Sequence, residues 1–182
     1  MLNRVAFREF RRSSQPTERL NKCPRRVVEG GQRANWFIER VVVYKSVMNR
    51  FVSPSGWYSL DYPDGWNFEI DDICTSFFRE PDGVGALQIS AYETESRESA
   101  VDNLKEYLDV KGIDSVIEPT TLSDGTECAS SVFDEDGSLN KVWMMACDRR
   151  FVFITYLSDA TEAGGREDAE IEELLRSFKI FK

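Results

Sequence analysis

The dipeptide Asp-Gly occurs at 64–65, 82–83, 124–125 and 136–137, each time beside a run in which apolar and polar residues alternate. Glycine reaches positive φ at no steric cost and aspartate bonds the backbone of a turn, so each pair predicts a chain reversal. In Tyr62-Pro63-Asp64-Gly65 proline presets φ at the second position, and the four residues fit a type I turn. Glu80-Pro81-Asp82-Gly83 repeats the arrangement. A chain punctuated this often cannot be all-helical, and short reversals favour antiparallel pairing.

The runs between the turns have the period of two expected of strands. Trp57–Tyr62 alternates, and Trp66, Phe68 and Ile70 lie on one face of the next strand. Cys74–Arg79, Gly85–Glu93, Glu127–Asp134 and Leu139–Cys147 follow, with shorter candidates at Arg50–Val52 and Ile113–Glu118. Phe151–Leu157 is strongly apolar, the pattern of a central strand covered on both faces. Two segments change period. Glu98–Val110 carries the stripe Val101, Leu104, Leu108, with Ser96 or Ser99 as cap and Gly112 as stop. Arg166–Phe178 carries Ile171, Leu174, Leu175 and Phe178 on one face, with acids at its start and Arg176 and Lys179 at its end, as the helix dipole favours. The order is strands, helix, strands, helix. The expected class is α+β, a mostly antiparallel sheet covered by helices on both faces.

The entry strand YSLDYPDGW, the middle helix, the following strands and the closing helix EIEELLRSFKIF together resemble the PsbP-like fold group, which includes PsbP and the Ran-releasing factor Mog. The resemblance covers about residues 50–182. It implies an α/β/α sandwich and a docking or adaptor role. It transfers no functional residue, because the group has no common catalytic motif to match.

Charge divides the chain. Residues 1–47 hold 11 Lys+Arg and 4 Asp+Glu, a balance of +7, whereas 48–182 hold 12 and 28, a balance of −16. The first part keeps no persistent period and reads as a basic, poorly ordered arm. It is either a tail for nucleic acid or membrane surfaces, a transit segment (against which four glutamates count), or an untranslated stretch ahead of a true start at Met48; the last is preferred. The second part, 48–182, is the PsbP-like globular domain. Its acidity disfavours nucleic acid and suits a basic protein partner. No apolar run is long enough to span a membrane, so no membrane role is expected. Cys23, Cys74, Cys128 and Cys147 form no C-x-x-C pair, which points to a reduced, cytoplasmic protein. Oligomeric state is not legible.

Histidine is absent from all 182 residues, which excludes Ser-His-Asp and Cys-His catalysis and every imidazole metal site. Asp134-Glu135-Asp136-Gly137-Ser138 has the look of a calcium loop, but the sixth position, which should be glycine, is Leu139. Gly83-Val84-Gly85 and Gly164-Gly165 lack the lysine of a P-loop. Cys74 lies beside Asp71 and Asp72, whose charge would raise its pKa and blunt it as a nucleophile. Trp57, Trp66 and Trp143, with Tyr58 and Tyr62, suit a stacking surface or a core, and alternate strand positions favour the core. The expectation is a non-enzymatic binding module without metal or cofactor. Its candidate partner surface is Asp61, Asp64, Asp71 and Asp72, with Asp61 facing solvent and Asp64 in a turn. The alternatives are an immunity- or inhibitor-type protein against a basic partner and a carboxylate-based hydrolase.

Overall fold

A computed structural model describes residues 47–122, 124–159 and 165–181. The basic arm expected over 1–47 lies outside the described residues except for Val47. The elements run β1 Met48–Val52, β2 Tyr58–Pro63, β3 Trp66–Ile70, β4 Thr75–Arg79, β5 Gly85–Glu93, α1 Ala100–Lys111, β6 Glu118–Thr121, β7 Glu127–Glu135, β8 Ser138–Cys147, β9 Arg150–Asp159, α2 Arg166–Arg176 and β10 Lys179–Ile180. Every pairing among them is antiparallel. Among the described residues the class is α+β, mostly antiparallel sheet with two helices.

The strands form two sheets where the sequence suggested one: a three-stranded sheet in the order β1-β2-β10 and a seven-stranded sheet in the order β3-β4-β5-β9-β8-β7-β6. The difference originates in the Asp64-Gly65 turn. Gly65 has φ 88°, a conformation costly for any residue with a Cβ. The reversal closes no hairpin. It carries the chain out of β2 in the small sheet and into β3 at the edge of the large one. By contrast, Asp136 and Gly137, at φ 55° and 79°, close a two-residue hairpin with Glu135 opposite Ser138. β9 lies fourth of seven strands, as its apolar run requires, and Phe151–Ile154 are buried in succession.

The strand expected over Ile113–Glu118 does not form; pairing begins only at Glu118, opposite Ser130. The preceding residues are held by side chains in place of a ladder. Ser131 Oγ donates to the Val116 carbonyl at 2.8 Å, and Ser115 Oγ donates to that of Val132 at 2.9 Å. Ser99 is the cap of α1, accepting from the Asp102 N–H, and Gly112, at φ 70°, is its left-handed stop. α2 ends two residues earlier than its apolar stripe suggested. Ser177 Oγ takes the Asp61 N–H at 2.8 Å, and Phe178 leads into β10, which pairs with β2.

Two sets of side chains flank β9. Ile171, Leu174 and Phe178 join Tyr58, Leu60 and the β9 residues Val152, Ile154 and Tyr156 in one core. Tyr107 of α1 meets Phe153, its ring centroid 5.0 Å away. The acidic first turn of α2 has a use that the dipole pattern alone does not convey. Glu170 accepts from Trp66 Nε1 at 2.8 Å and pairs with Arg79 at 2.9 Å, while buried Glu167 accepts from the Val84 N–H and the Tyr156 hydroxyl. These bonds fasten the helix to β3, β4 and the loop before β5.

Glu170→Ala is expected to lower stability by about 1–3 kcal/mol, because it strands an indole N–H and a guanidinium that are largely shielded from water. Glu172→Ala, which removes an exposed i,i+4 pair with Arg176, should change it by less than about 0.5 kcal/mol. Urea unfolding of both variants measures the contrast. Leu174→Ala, at a fully buried site, sets the scale at about 2–5 kcal/mol.

Candidate interaction surface

The two sheets meet through an aromatic cluster. The Phe51 ring of β1 packs on Phe77 of β4 at 5.2 Å and on Phe68 of β3 at 5.0 Å; Tyr62 of β2 contacts both partners, at 5.6 and 6.0 Å. The cluster is sealed at one end and open at the other. Phe77 has no exposure, whereas Phe68 is 40% exposed, Ile70 49% and Ile73 57%. Trp66, Phe68 and Ile70 share a face of β3, as the alternation predicted. Of the three only Trp66 is buried, where Glu170 of α2 reaches its indole N–H; Phe68 is covered in part by Phe51 and Tyr62. Large apolar side chains left open in contiguity mark interaction surfaces far more often than isolated ones do.

Carboxylates interleave with this apolar strip. Glu69 and Asp72 are exposed. Asp71 shapes the turn between β3 and β4: its Oδ1 accepts the N–H groups of Ile73 and Cys74, each at 2.7 Å. The bond from Cys74, supported by that from Ile73, holds the Asp71 carboxyl below its ordinary value. The Cys74 thiol moves the other way. Burial raises its pKa first and the Asp71 charge adds to it, so the neighbouring acid named by the sequence reading is the lesser cause.

Of the four acids expected to form one surface, the structure brings only Asp71 and Asp72 together. Asp64 sits at the opposite end of β3, in the turn before Trp66, so the five-residue strand separates it from Asp71. It accepts a bond from Asn49 Nδ2 at 2.8 Å. Asp61 does not face open solvent; it is half-buried, and its main chain is held by Ser177 where the end of α2 docks on β2. Phe68, Ile70 and Ile73, which the sequence reading placed in no site, accompany Asp71 and Asp72 instead. The available signal was Ile73, an apolar residue following an Asp-Asp break.

The backbone of β3 adds to the surface. Among the described residues β3 is the terminal strand of its sheet and pairs only with β4. The bonds Glu80 N–H to Gly65 O and Asp71 N–H to Cys74 O fix the phase of the ladder. Bonded and non-bonded pairs alternate, so Asn67 and Glu69 address β4. Trp66, Phe68 and Ile70 therefore turn their N–H and C=O groups toward the open edge.

Among the described residues no group of three or more metal-ligating side chains occurs, and no helix is long and apolar enough to cross a membrane. Tyr58 and Trp66 are buried, which assigns these two aromatics to the core. Tyr58 donates to Thr75 Oγ1 at 3.0 Å, and burial pushes its pKa up to about 12.

Comparison with solved structures recovers the fold. A protein of Bacteroides thetaiotaomicron matches with a TM-score of 0.55 at 22% identity, over 73% of this chain and 48% of that one; this chain thus spans about half its length. The solution structure of cyanobacterial PsbP (CyanoP) from Synechocystis matches with a TM-score of 0.54 at 15% identity, over 77% and 96% of the two chains. The Saccharomyces cerevisiae Ran-binding protein Mog1p matches at 0.46 and 13%, over 75% and 96%. No curated protein matches the sequence. The architecture is PsbP-like, and the model for the family described as "Domain of unknown function (DUF3805)" matches residues 46–182. The chain belongs to that DUF3805 family.

Proposed function

We propose that residues 48–182 form a non-enzymatic binding module that takes a basic segment of a partner protein on the β3–β4 corner. The observation that carries this reading is the juxtaposition of exposed Phe68, Ile70 and Ile73 with the carboxylates of Glu69, Asp71 and Asp72. Apolar contact supplies affinity, and the carboxylates steer a cationic partner and select its sign. In this reading the domain is an α/β/α sandwich. Its support is that Tyr107 of α1 and Ile171 of α2 pack with Phe153 and Ile154, neighbours whose side chains alternate across the sheet. The three described cysteines are free, which supports a reducing, cytoplasmic setting. An immunity or inhibitor role against a basic protein would use the same corner. Hydrolysis by paired carboxylates has less support, since Asp71 is committed to its turn and Asp64 lies a strand length away.

A fluorescent lysine-rich peptide should bind the full chain with an affinity that falls steeply as salt rises. The double variant Asp71→Asn/Asp72→Asn should weaken that binding at least about fivefold, and Asp61→Asn/Asp64→Asn should leave it near the starting value. Unchanged affinity in the first variant, measured by anisotropy, removes this corner as the contact.

The thiols give a second check. Burial raises the Cys128 pKa to about 11, so roughly one thiol in a thousand is ionised there at pH 8. Iodoacetamide at pH 8 should leave Cys128 unmodified in native protein and alkylate it promptly in urea. Because the ionised fraction grows with pH, native labelling should rise only toward pH 11. Fast native labelling at pH 8, read by peptide mass spectrometry, would contradict a closed core.

A further inference from the structure

We propose that the partner segment binds as an added antiparallel strand on the open edge of β3, with apolar residues beside Phe68 and Ile70 and Lys or Arg residues beside Glu69 and Asp71. The inference rests on the reading of the corner as a basic-partner site and adds the mode of recognition.

Three features of β3 converge on it. Trp66, Phe68 and Ile70 direct their N–H and C=O groups outward, a hydrogen-bonding template for one more strand. The same alternation exposes Phe68 and Ile70 on one face of the strand and places Glu69, with Asn67 before it, on the other. A segment that pairs with β3 and alternates apolar with cationic residues therefore satisfies the backbone, the apolar face and the acidic face in a single register. A slip of one residue sets every cation against the apolar face, so the register is strongly selected. The protein does little to block this edge: residues 64–74 contain no lysine or arginine, and proline is absent from β3 itself.

Charge decides which occupant fits. A second copy of the chain pairing antiparallel through β3 about Phe68 would set Asp72 of each copy across from Asp64 of the other. It would also gather Glu69 and Asp71 of both into one seam, with no cation on either strand. Like charges opposed in this way disfavour self-pairing. A strand bearing Lys or Arg at alternate positions removes the repulsion and meets the carboxylates in its place.

The antiparallel mode makes a specific statement about the partner backbone. Residues opposite Phe68 and Ile70 share their face and exchange both main-chain bonds with them, so the partner's apolar residues, and not its cationic ones, must donate toward β3. The test uses the full chain and three peptides with the same alternating Lys-Val sequence: unmodified, N-methylated at every valine, and N-methylated at every lysine. All three keep the charge and the side chains.

The expected result is that methylation of the valine frame weakens binding at least about tenfold, the loss expected when main-chain donors to a strand edge are removed. Methylation of the lysine frame should leave binding close to that of the unmodified peptide. Loss confined to the lysine frame, or equal in both frames, overturns antiparallel addition. Equal and salt-sensitive binding of all three peptides overturns strand addition while leaving the acidic-corner reading standing. Failure of the unmodified peptide to bind at low salt overturns both. Sedimentation of the chain alone provides a further check: a dimer that the unmodified peptide dissociates would show that a second copy, and not a basic segment, is the occupant of the edge.

Discussion

The small sheet is held to the large one by rings. Phe51, Tyr62 and Phe77 interlock across the gap between β1–β2 and β4, and Tyr58 stacks on Phe178 at 5.2 Å while its hydroxyl reaches Thr75. Much else follows from this contact. The closing helix must bring Phe178 and then β10 back to β2, so α2 crosses the core at the level of Leu174 and ends against Asp61. Its first turn then lies over Trp66, Arg79 and Tyr156, where Glu167 and Glu170 find buried donors. The cluster also determines what remains uncovered. Beyond Trp66 the small sheet covers β3 only in part: Phe51 and Tyr62 contact Phe68, which is still 40% exposed, and Ile70 keeps one side in water.

An edge strand with apolar side chains is a hazard for any isolated domain, because it invites pairing with whatever strand it meets. Two properties of this edge limit the hazard and give it a direction. The strand is five residues long. The acids Glu69, Asp71 and Asp72 line it with like charge, which disfavours pairing with a second copy; in the proposed reading they favour a basic segment. At this corner the Asp71 carboxyl is committed to a turn and the Cys74 thiol is raised by burial. The architecture by itself assigns no function; that is carried by the surface built on it.

The legible parts of the sequence were those governed by neighbours along the chain. Alternation located β2, β3, β5, β7 and β8 to within a residue or two, and the strongly apolar run of β9 placed it at the sheet centre. Ser99 and Gly112 bounded α1, since capping depends on only a few adjacent backbone groups. Errors came where the partner was distant. Ile113–Glu118 alternates like a strand, yet side chains tie it to β7 in place of a ladder: Ser131 bonds the Val116 carbonyl and Ser115 that of Val132. The turn at Asp64-Gly65 was foreseen as a reversal, but whether a reversal returns to the same sheet depends on what β3 meets, and β3 met β4. Asp61 was read as solvent-facing from strand parity alone, whereas a helix 116 residues later approaches its backbone.

The site divides in the same way. The sequence by itself determined the charge of the domain, the absence of imidazole chemistry, the turns, and the alternation that gives β3 an apolar and an acidic face; each depends on residue type and local backbone preference. Tertiary structure alone decided that, among the described residues, β3 would be a terminal strand, that α2 would reach Trp66, and that Asp71 and Asp72 would keep company with Phe68 and Ile70 while Asp64 and Asp61 stood apart. The physical reason is that burial belongs to neighbours rather than to residues. Phe68 and Phe77 are the same side chain on adjacent strands, and one is open to water where, among the described residues, no strand lies beyond it.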